Sequence, residues 1–318
     1  MRDLTSYKET YVVEYPEAVD FAEKQQSIFW PAFEIKVDKD VHDIKTNLTE
    51  AERHGVITTL KLFTQYELIV GNDYWKQVGD MFHKPACIHR MTSTFSFFEL
   101  GVHAPFYSNI NEALGLANDE FYTEYTKDPV LTERIRMLES YADPAQPVPF
   151  LIALAFAEGV ILYSSFAFLK HFQSQGKNKI LNIVRGINFS ARDEALHSEA
   201  SAWLLRTYLQ ERGLDSSYIA DLVKEIAEVV REHEYAIVDK IFEKGKIDGI
   251  TDVQMKHFID SRINLVCRNL GLDNLYEVKY NRIADWFYDG INGYSYNDFF
   301  SGVGNQYSRE WDEAGFEW

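Results

Sequence analysis

Positive charge is scarce in this chain: 32 lysines and arginines face 49 aspartates and glutamates in 318 residues, a formal net charge of −17. A surface of that sign repels phosphate backbones, which argues against nucleic-acid binding despite the abundant aromatics. Cysteine is rarer still. Cys87 and Cys267 stand far apart and in no metal-ligand spacing, so each is expected as a buried thiol with no catalytic part. There is no Gly/Ser-rich or Pro-rich linker and no repeat of fixed period, which favours one domain over two. The start, Met1-Arg2-Asp3-Leu4-Thr5, lacks a basic-then-apolar signal pattern, and charge soon interrupts the apolar runs. Neither export nor membrane spanning is expected, and a cytoplasmic location is the default.

What is present is material for a large helical core. Hydrophobic residues make up 46% and aromatics 15%, with only 8 prolines, and long 3.6-residue periodicities predict an all-α fold. Residues 1 to about 50 read as an extended arm with short helices, including Ser27-Ile28-Phe29-Trp30-Pro31. Thr49-Glu50-Ala51-Glu52 has the form of a capped helix start. The helix it opens is predicted to run to about Asp80, with Leu60, Phe63, Glu67, Val70 and Tyr74 on its inward stripe. A second helix is predicted from Pro85 to about Asn111. Gly101 and Pro105 interrupt it, and the helix cost of those residues, about 1 and 3 kcal/mol relative to alanine, predicts a distortion such as a π-bulge between Glu99 and Tyr107. A shorter helix follows around residues 130–141. Residues 149–172 are apolar nearly all round, which predicts a single central helix with Glu158 as its only carboxylate. Three more helices are expected at about 178–212, 216–243 and 253–270, and from Asn297 the periodicity is lost.

The chemistry lies in two pairs. Glu194 and His197 are three residues apart, Glu99 and His103 four apart, and either spacing puts both side chains on one helix face. Added to Glu67 and Glu158, they give four carboxylates and two imidazoles, enough for two metal ions with one imidazole each and two carboxylates left to bridge. An isolated buried carboxylate such as Glu158 must take a proton or find a cation. Asp193 is positioned to accept a hydrogen bond from a ligand imidazole and fix its tautomer. Tyr107 lies one turn after His103 on the same face, where an oxidising metal pair would convert it to a phenoxyl radical. Other Glu/His neighbours, Glu50 with His54 and Glu232-His233-Glu234, sit among charges and read as solvated surface.

Taken together these residues resemble the small, radical-generating subunit of class I ribonucleotide reductase, within the ferritin-like superfamily, over nearly the whole chain. The segment Ala191-Arg192-Asp193-Glu194-Ala195-Leu196-His197 is similar to that family's second Glu-x-x-His motif. Ser27-Ile28-Phe29-Trp30 resembles its tryptophan-bearing arm, and Phe63-Thr64-Gln65-Tyr66-Glu67 its first-ligand helix. The step from His103 to Tyr107 has its ligand-to-radical spacing. The resemblance implies a ferritin-like helical bundle over residues 1–296, with Glu67, Glu99, His103, Glu158, Glu194 and His197 as metal ligands. It further implies a tyrosyl radical at Tyr107, radical transfer through Trp30, Asp193 and Tyr307, and a tail, residues 297–318, that docks on a large catalytic subunit. A homodimer is expected. Two departures stand out: Glu99-Leu100-Gly101-Val102-His103 is one residue longer than the usual motif, and Glu67 occupies a position that is often Asp. They leave the metal open between di-iron, manganese/iron and dimanganese, with Tyr107 favouring di-iron. Rival readings are another oxygen-activating member of the same group, which has no need of Trp30, Tyr307 and an acidic aromatic tail together, and a metal-storage or purely structural bundle, which has no use for a radical tyrosine.

Overall fold

The computed structural model describes residues 2–6, 10–278 and 280–288, and among them helix is the only regular secondary structure, with a single isolated bridge between Ile247 and Ile250 as the only extended pairing. The arm contains α1 (Pro16–Ser27) and three short turns of 3-10 or π type between Ala32 and Asn47. It lays α1 against the helices Ala86–Phe98 and Leu181–Gln210. Hydrogen bonds from Asn182 Nδ2 and the Ile183 amide to Asp40, at 2.7 and 2.6 Å, pin its far end.

The predicted capping box is present. The Glu52 amide donates to Thr49 Oγ1 at 3.2 Å and the Thr49 amide to Glu52 Oε2 at 2.9 Å, satisfying two otherwise orphaned donors. From it α2 (Glu50–Ile69) runs through a π-helical stretch, Val70–Trp75, into α3 (Lys76–Met81), close to the expected end. All five residues named for its inward stripe are buried. The second long helix begins after Pro85 as α4 (Ala86–Phe98), passes through the predicted π distortion at Glu99–His103, and continues as α5 (Ala104–Leu114). Two smaller helices follow, α6 (Asp119–Thr123) and α7 (Pro129–Tyr141).

The apolar run differs from expectation: it is two helices, α8 (Pro147–Gly159) and α9 (Tyr163–Lys170). The amides of Val160 and Ile161 both donate to the Phe156 carbonyl, and Leu162 takes the left-handed region at φ 74°. Tertiary contacts impose this break. A Cβ on Gly159 would lie 2.3 Å from Val266 Cγ2 and 2.4 Å from Ser198 Oγ, so two other helices meet α8 where it stops. The freed Gly159 carbonyl accepts a 2.9 Å hydrogen bond from Arg262 Nε. By length and composition Pro147–Ser174 would suit a membrane, but its most apolar window is wholly buried inside the protein.

The thirty-residue α10 (Leu181–Gln210) packs along α8, while α11 (Ala220–Ile241) and α12 (Asp252–Asn269) pair with each other across the outside. The core bundle is therefore α2, the α4–α5 helix, α8–α9 and α10, and each of the four bears at least one of the six candidate ligands. Residues 282–288 are helical, seated by Lys170 Nζ, which donates to the Phe287 carbonyl at 2.7 Å. Both cysteines are free and buried.

One surface assignment is corrected. Glu234 is fully buried, in a 2.6 Å ion pair with buried Arg134 and a 2.6 Å hydrogen bond from Ser164 Oγ. Its charged neighbours masked a register that the sequence does contain, since Val230, Glu234, Ile237 and Val238 share the inner stripe of α11.

Candidate metal centre

The π turn at Glu99–His103 supplies the extra residue that the longer motif requires. A π turn advances more residues per turn than an α-helix, so Glu99 and His103 still point the same way while Leu100 and Gly101 are carried past them. The adjoining helix accommodates it closely: a Cβ on Gly71 would lie 2.6 Å from Leu100 Cγ.

Six side chains from the four bundle helices converge. Glu67, Glu99, His103 and Glu194 present ligand atoms all within 4.8 Å of one another, and so do Glu99, Glu158, Glu194 and His197. Glu99 and Glu194 belong to both groups. His103 Nδ1 lies 3.0 Å from Glu99 Oε2, 3.1 Å from Glu194 Oε1 and 3.8 Å from Glu67 Oε2. His197 Nδ1 lies 2.7 Å from Glu99 Oε1, 3.3 Å from Glu194 Oε2 and 3.7 Å from Glu158 Oε1. The two shared carboxylates thus turn one oxygen to each imidazole.

Every one of the six is buried, at 0–2% exposure. Even so, both oxygens of Glu67 and of Glu194, Glu99 Oε1, Glu158 Oε2 and both ring nitrogens of His197 have no hydrogen-bond partner. Several of these atoms are close together without bonding one another. Buried polar atoms orphaned in this number are costly. Two cations would satisfy them, and mixed carboxylate and imidazole donors suit iron or manganese, so the residues fit a dinuclear metal pair.

Within the cluster the four carboxylates divide into two pairs by their affinity for protons. Burial, reinforced by neighbouring carboxylates, pushes Glu67 and Glu158 well above the usual carboxylate range. Burial opposes ionisation of Glu99 and Glu194 as well, but the imidazoles beside them hold both below it. Burial disfavours the charged imidazoles, and the surrounding carboxylates outweigh it and raise both histidines.

Around this cluster the structure places the remaining expected residues. Asp193 Oδ2 faces His103 Nε2 at 3.2 Å and accepts from Trp30 Nε1 at 2.7 Å. The Trp30 ring also stacks on that of His103, with centroids 5.9 Å apart. Tyr107 is fully buried, stacked on Phe63 at 4.3 Å, and shares a 3.0 Å hydrogen bond with Ser190 Oγ. Burial, with the Glu67 charge adding to it, keeps its phenol protonated. Tyr307 and residues 297–318 lie outside the described residues.

Sequence reasoning missed two participants. Ser190 lies one turn before Glu194 on α10, and nothing marks it as the partner of Tyr107. Trp75, from the π stretch after α2, donates its indole N–H to Glu158 Oε1. Its position one residue beyond Tyr74 on an inward-facing stretch was the available signal.

Comparison with known proteins agrees with this geometry. The family model described as ribonucleotide reductase, small chain, matches residues 8–282. Among curated relatives, the probable ribonucleoside-diphosphate reductase small subunit of Invertebrate iridescent virus 3 is 27% identical over an alignment of 335 residues, covering 97% of this chain and 85% of that protein. The ribonucleoside-diphosphate reductase 2 subunit beta of Escherichia coli strain K12 is 25% identical, covering 88% and 87%. Among solved structures, the dimanganese(II)-NrdF of Streptococcus sanguinis shares the fold with a TM-score of 0.74 at 21% identity, over 90% of this chain and all of that one.

Proposed function

The chain belongs to the ribonucleotide reductase small-chain family, and from that premise we propose a role for each residue of the buried cluster. Glu67, Glu99, His103, Glu158, Glu194 and His197 hold two metal ions, Tyr107 is the residue oxidised to a radical, and Trp30 and Asp193 carry the oxidising equivalent toward a large catalytic subunit that reduces ribonucleotides. The observation that carries this reading is the sharing of Glu99 and Glu194 between two four-residue ligand groups, the arrangement a bridged pair requires.

Bound there, a redox-active pair supplies a dioxygen-dependent one-electron oxidant. The protein's own groups do the rest. Asp193 accepts from the Nε2 side of His103, so that Nδ1 is the nitrogen left to ligate. Phe63, Phe106 and Phe166 form an apolar wall that keeps water from Tyr107. Ser190 holds its hydroxyl. Trp30, hydrogen-bonded to Asp193 and stacked on His103, offers a short route from the ligands toward the arm.

Iron at both positions is the reading that a tyrosine at 107 favours, with manganese/iron and dimanganese as the alternatives. Residues 1–296 act as one domain, and residues 297–318, with Tyr307 as the transferring aromatic, dock on the large subunit. The small subunit works as a cytoplasmic homodimer.

Metal counting on variants tests the ligand assignment. Glu194→Ala removes a carboxylate common to both groups and is expected to abolish binding at both positions, whereas Glu67→Ala, which serves one group, leaves the other able to bind. Equal loss from both variants, or full retention in Glu194→Ala, overturns the bridging role.

A further inference from the structure

Tyr107 is not the only oxidisable phenol beside the cluster. Tyr163 opens α9 just beyond the break that follows Glu158, is fully buried, and feels the charges of Glu194 and Glu158. Its hydroxyl donates to the Ala191 carbonyl at 3.1 Å, one turn before Glu194 on α10. A hole formed at the metal pair therefore has Tyr163 beside it as well as Tyr107 and Tyr66, the last buried with its hydroxyl donating to the Ala157 carbonyl at 2.6 Å, and Tyr163 leads away along Phe287 and Tyr288 rather than toward Trp30.

What distinguishes Tyr163 from Tyr107 is its surroundings. The Tyr107 ring lies on neutral Phe63 and its hydroxyl meets Ser190. The Tyr163 ring lies under the guanidinium of Arg262, whose Cζ is 3.6 Å from the ring centroid. Arg262 is itself buried. Its other partners among the described residues are the Gly159 carbonyl, at 2.9 Å, and the Tyr288 hydroxyl, at 3.1 Å, so no carboxylate offsets its charge there. A cation over a neutral ring is attracted by the π electrons. Removal of one of those electrons turns that attraction into repulsion, in an interior that screens it poorly.

We propose that Arg262 is a specificity-determining residue: its guanidinium stacked on Tyr163 makes that phenol hard to oxidise and so keeps the hole from straying to Tyr163 in place of Tyr107. This rests on the radical-generating reading above. The step suppressed is the loss of one electron from Tyr163 to the oxidised metal pair, which is reduced by one electron, while the proton stays on the phenol in its hydrogen bond to the Ala191 carbonyl, so that the product is a ring cation radical beneath the guanidinium. The peptide carbonyl of Ala191 is too weak a base to take that proton, which adds to the same bias.

The test is electron paramagnetic resonance on the full chain reconstituted with ferrous iron and air, with metal counting. Tyr107→Phe with Arg262 intact is expected to give no tyrosyl signal. Adding Arg262→Gln, which removes the charge but keeps an N–H for the Gly159 carbonyl, is expected to produce one, lost again on adding Tyr163→Phe. Arg262→Lys in place of Arg262→Gln retains a cation and is expected to stay silent. A Tyr163 signal with Arg262 intact overturns the proposal, as does silence in Tyr107→Phe/Arg262→Gln loaded with the wild-type complement of metal. Should Arg262→Gln not load, Arg262→Met, which also removes the charge, is read in the same way. Failure of both to bind metal would assign Arg262 a purely structural role and overturn the proposal. A wild-type chain without any tyrosyl radical would sink the radical-generating reading itself, and this inference with it, whereas a wild-type radical beside a silent loaded double variant defeats the inference alone.

Discussion

The indole of Trp30 and the imidazole of His103 meet at one atom, Oδ2 of Asp193, at 2.7 and 3.2 Å, while their rings stack face to face. One carboxylate thus joins the arm to the candidate ligand set. Asp193→Asn keeps the shape but removes the negative charge and leaves one accepting oxygen in place of two, so the hold on His103 weakens. Metal affinity is expected to fall about 10- to 100-fold, as for other changes to groups that orient a ligand histidine. Trp30→Phe leaves the ligands intact, so metal and the Tyr107 radical should persist while nucleotide reduction with the large subunit drops to background. Competition with a chelator measures the first effect, and radical yield compared with turnover measures the second.

Gly159 is the point where α8, α10 and α12 touch. Gly159→Ala puts a methyl group into Val266 and Ser198, and the resulting overpacking is expected to destabilise the fold by about 1–3 kcal/mol. Urea unfolding reads the loss directly. Because Glu158 is the adjacent residue, weaker metal binding should accompany it.

Lys170 is buried, with the Phe287 carbonyl and ring as its polar and cation–π partners among the described residues, and burial pulls its pKa down to about 7. Between about pH 7 and the ordinary lysine value of 10.5 the unfolded chain therefore binds more protons than the folded one, so this residue makes stability rise with pH across that window. Below it both states are protonated and the folded chain bears the full cost of the buried charge. Lys170→Met is expected to be more stable than wild type at pH 6, on the order of 2–3 kcal/mol after the lost hydrogen bond, with the difference shrinking toward pH 10. Denaturant midpoints at a series of pH values, with no narrowing of the gap, would contradict it.

Much of this was legible in the sequence, for physical reasons. The Thr49/Glu52 capping box and the Glu/His spacings are local patterns, and local patterns survive folding. The π turn at Glu99–His103 was visible because Gly101, Pro105 and the extra residue all strain the same stretch of α-helix. The second π stretch, Val70–Trp75, had only Gly71 to mark it and was not foreseen. The break between α8 and α9 was hidden for a different reason: Val160, Ile161 and Leu162 are ordinary apolar residues, and the contacts at the break, Ser198 and Val266 against Gly159 and Arg262 on its carbonyl, come from far along the sequence. Glu234 was misread because charged neighbours were weighed above the 3.6-residue register. Ser190 had no signal at all, since a serine within an amphipathic helix is unremarkable until Tyr107 is seen to face it.

The most direct test of the central claim is electron paramagnetic resonance on protein reconstituted with ferrous iron and air, with iron counted in the same samples, for wild type and Tyr107→Phe. The account predicts about two irons per chain in both proteins and a tyrosyl signal in wild type that the variant lacks. Bound iron without a tyrosyl signal in wild type, or a chain that takes up no metal, would contradict it.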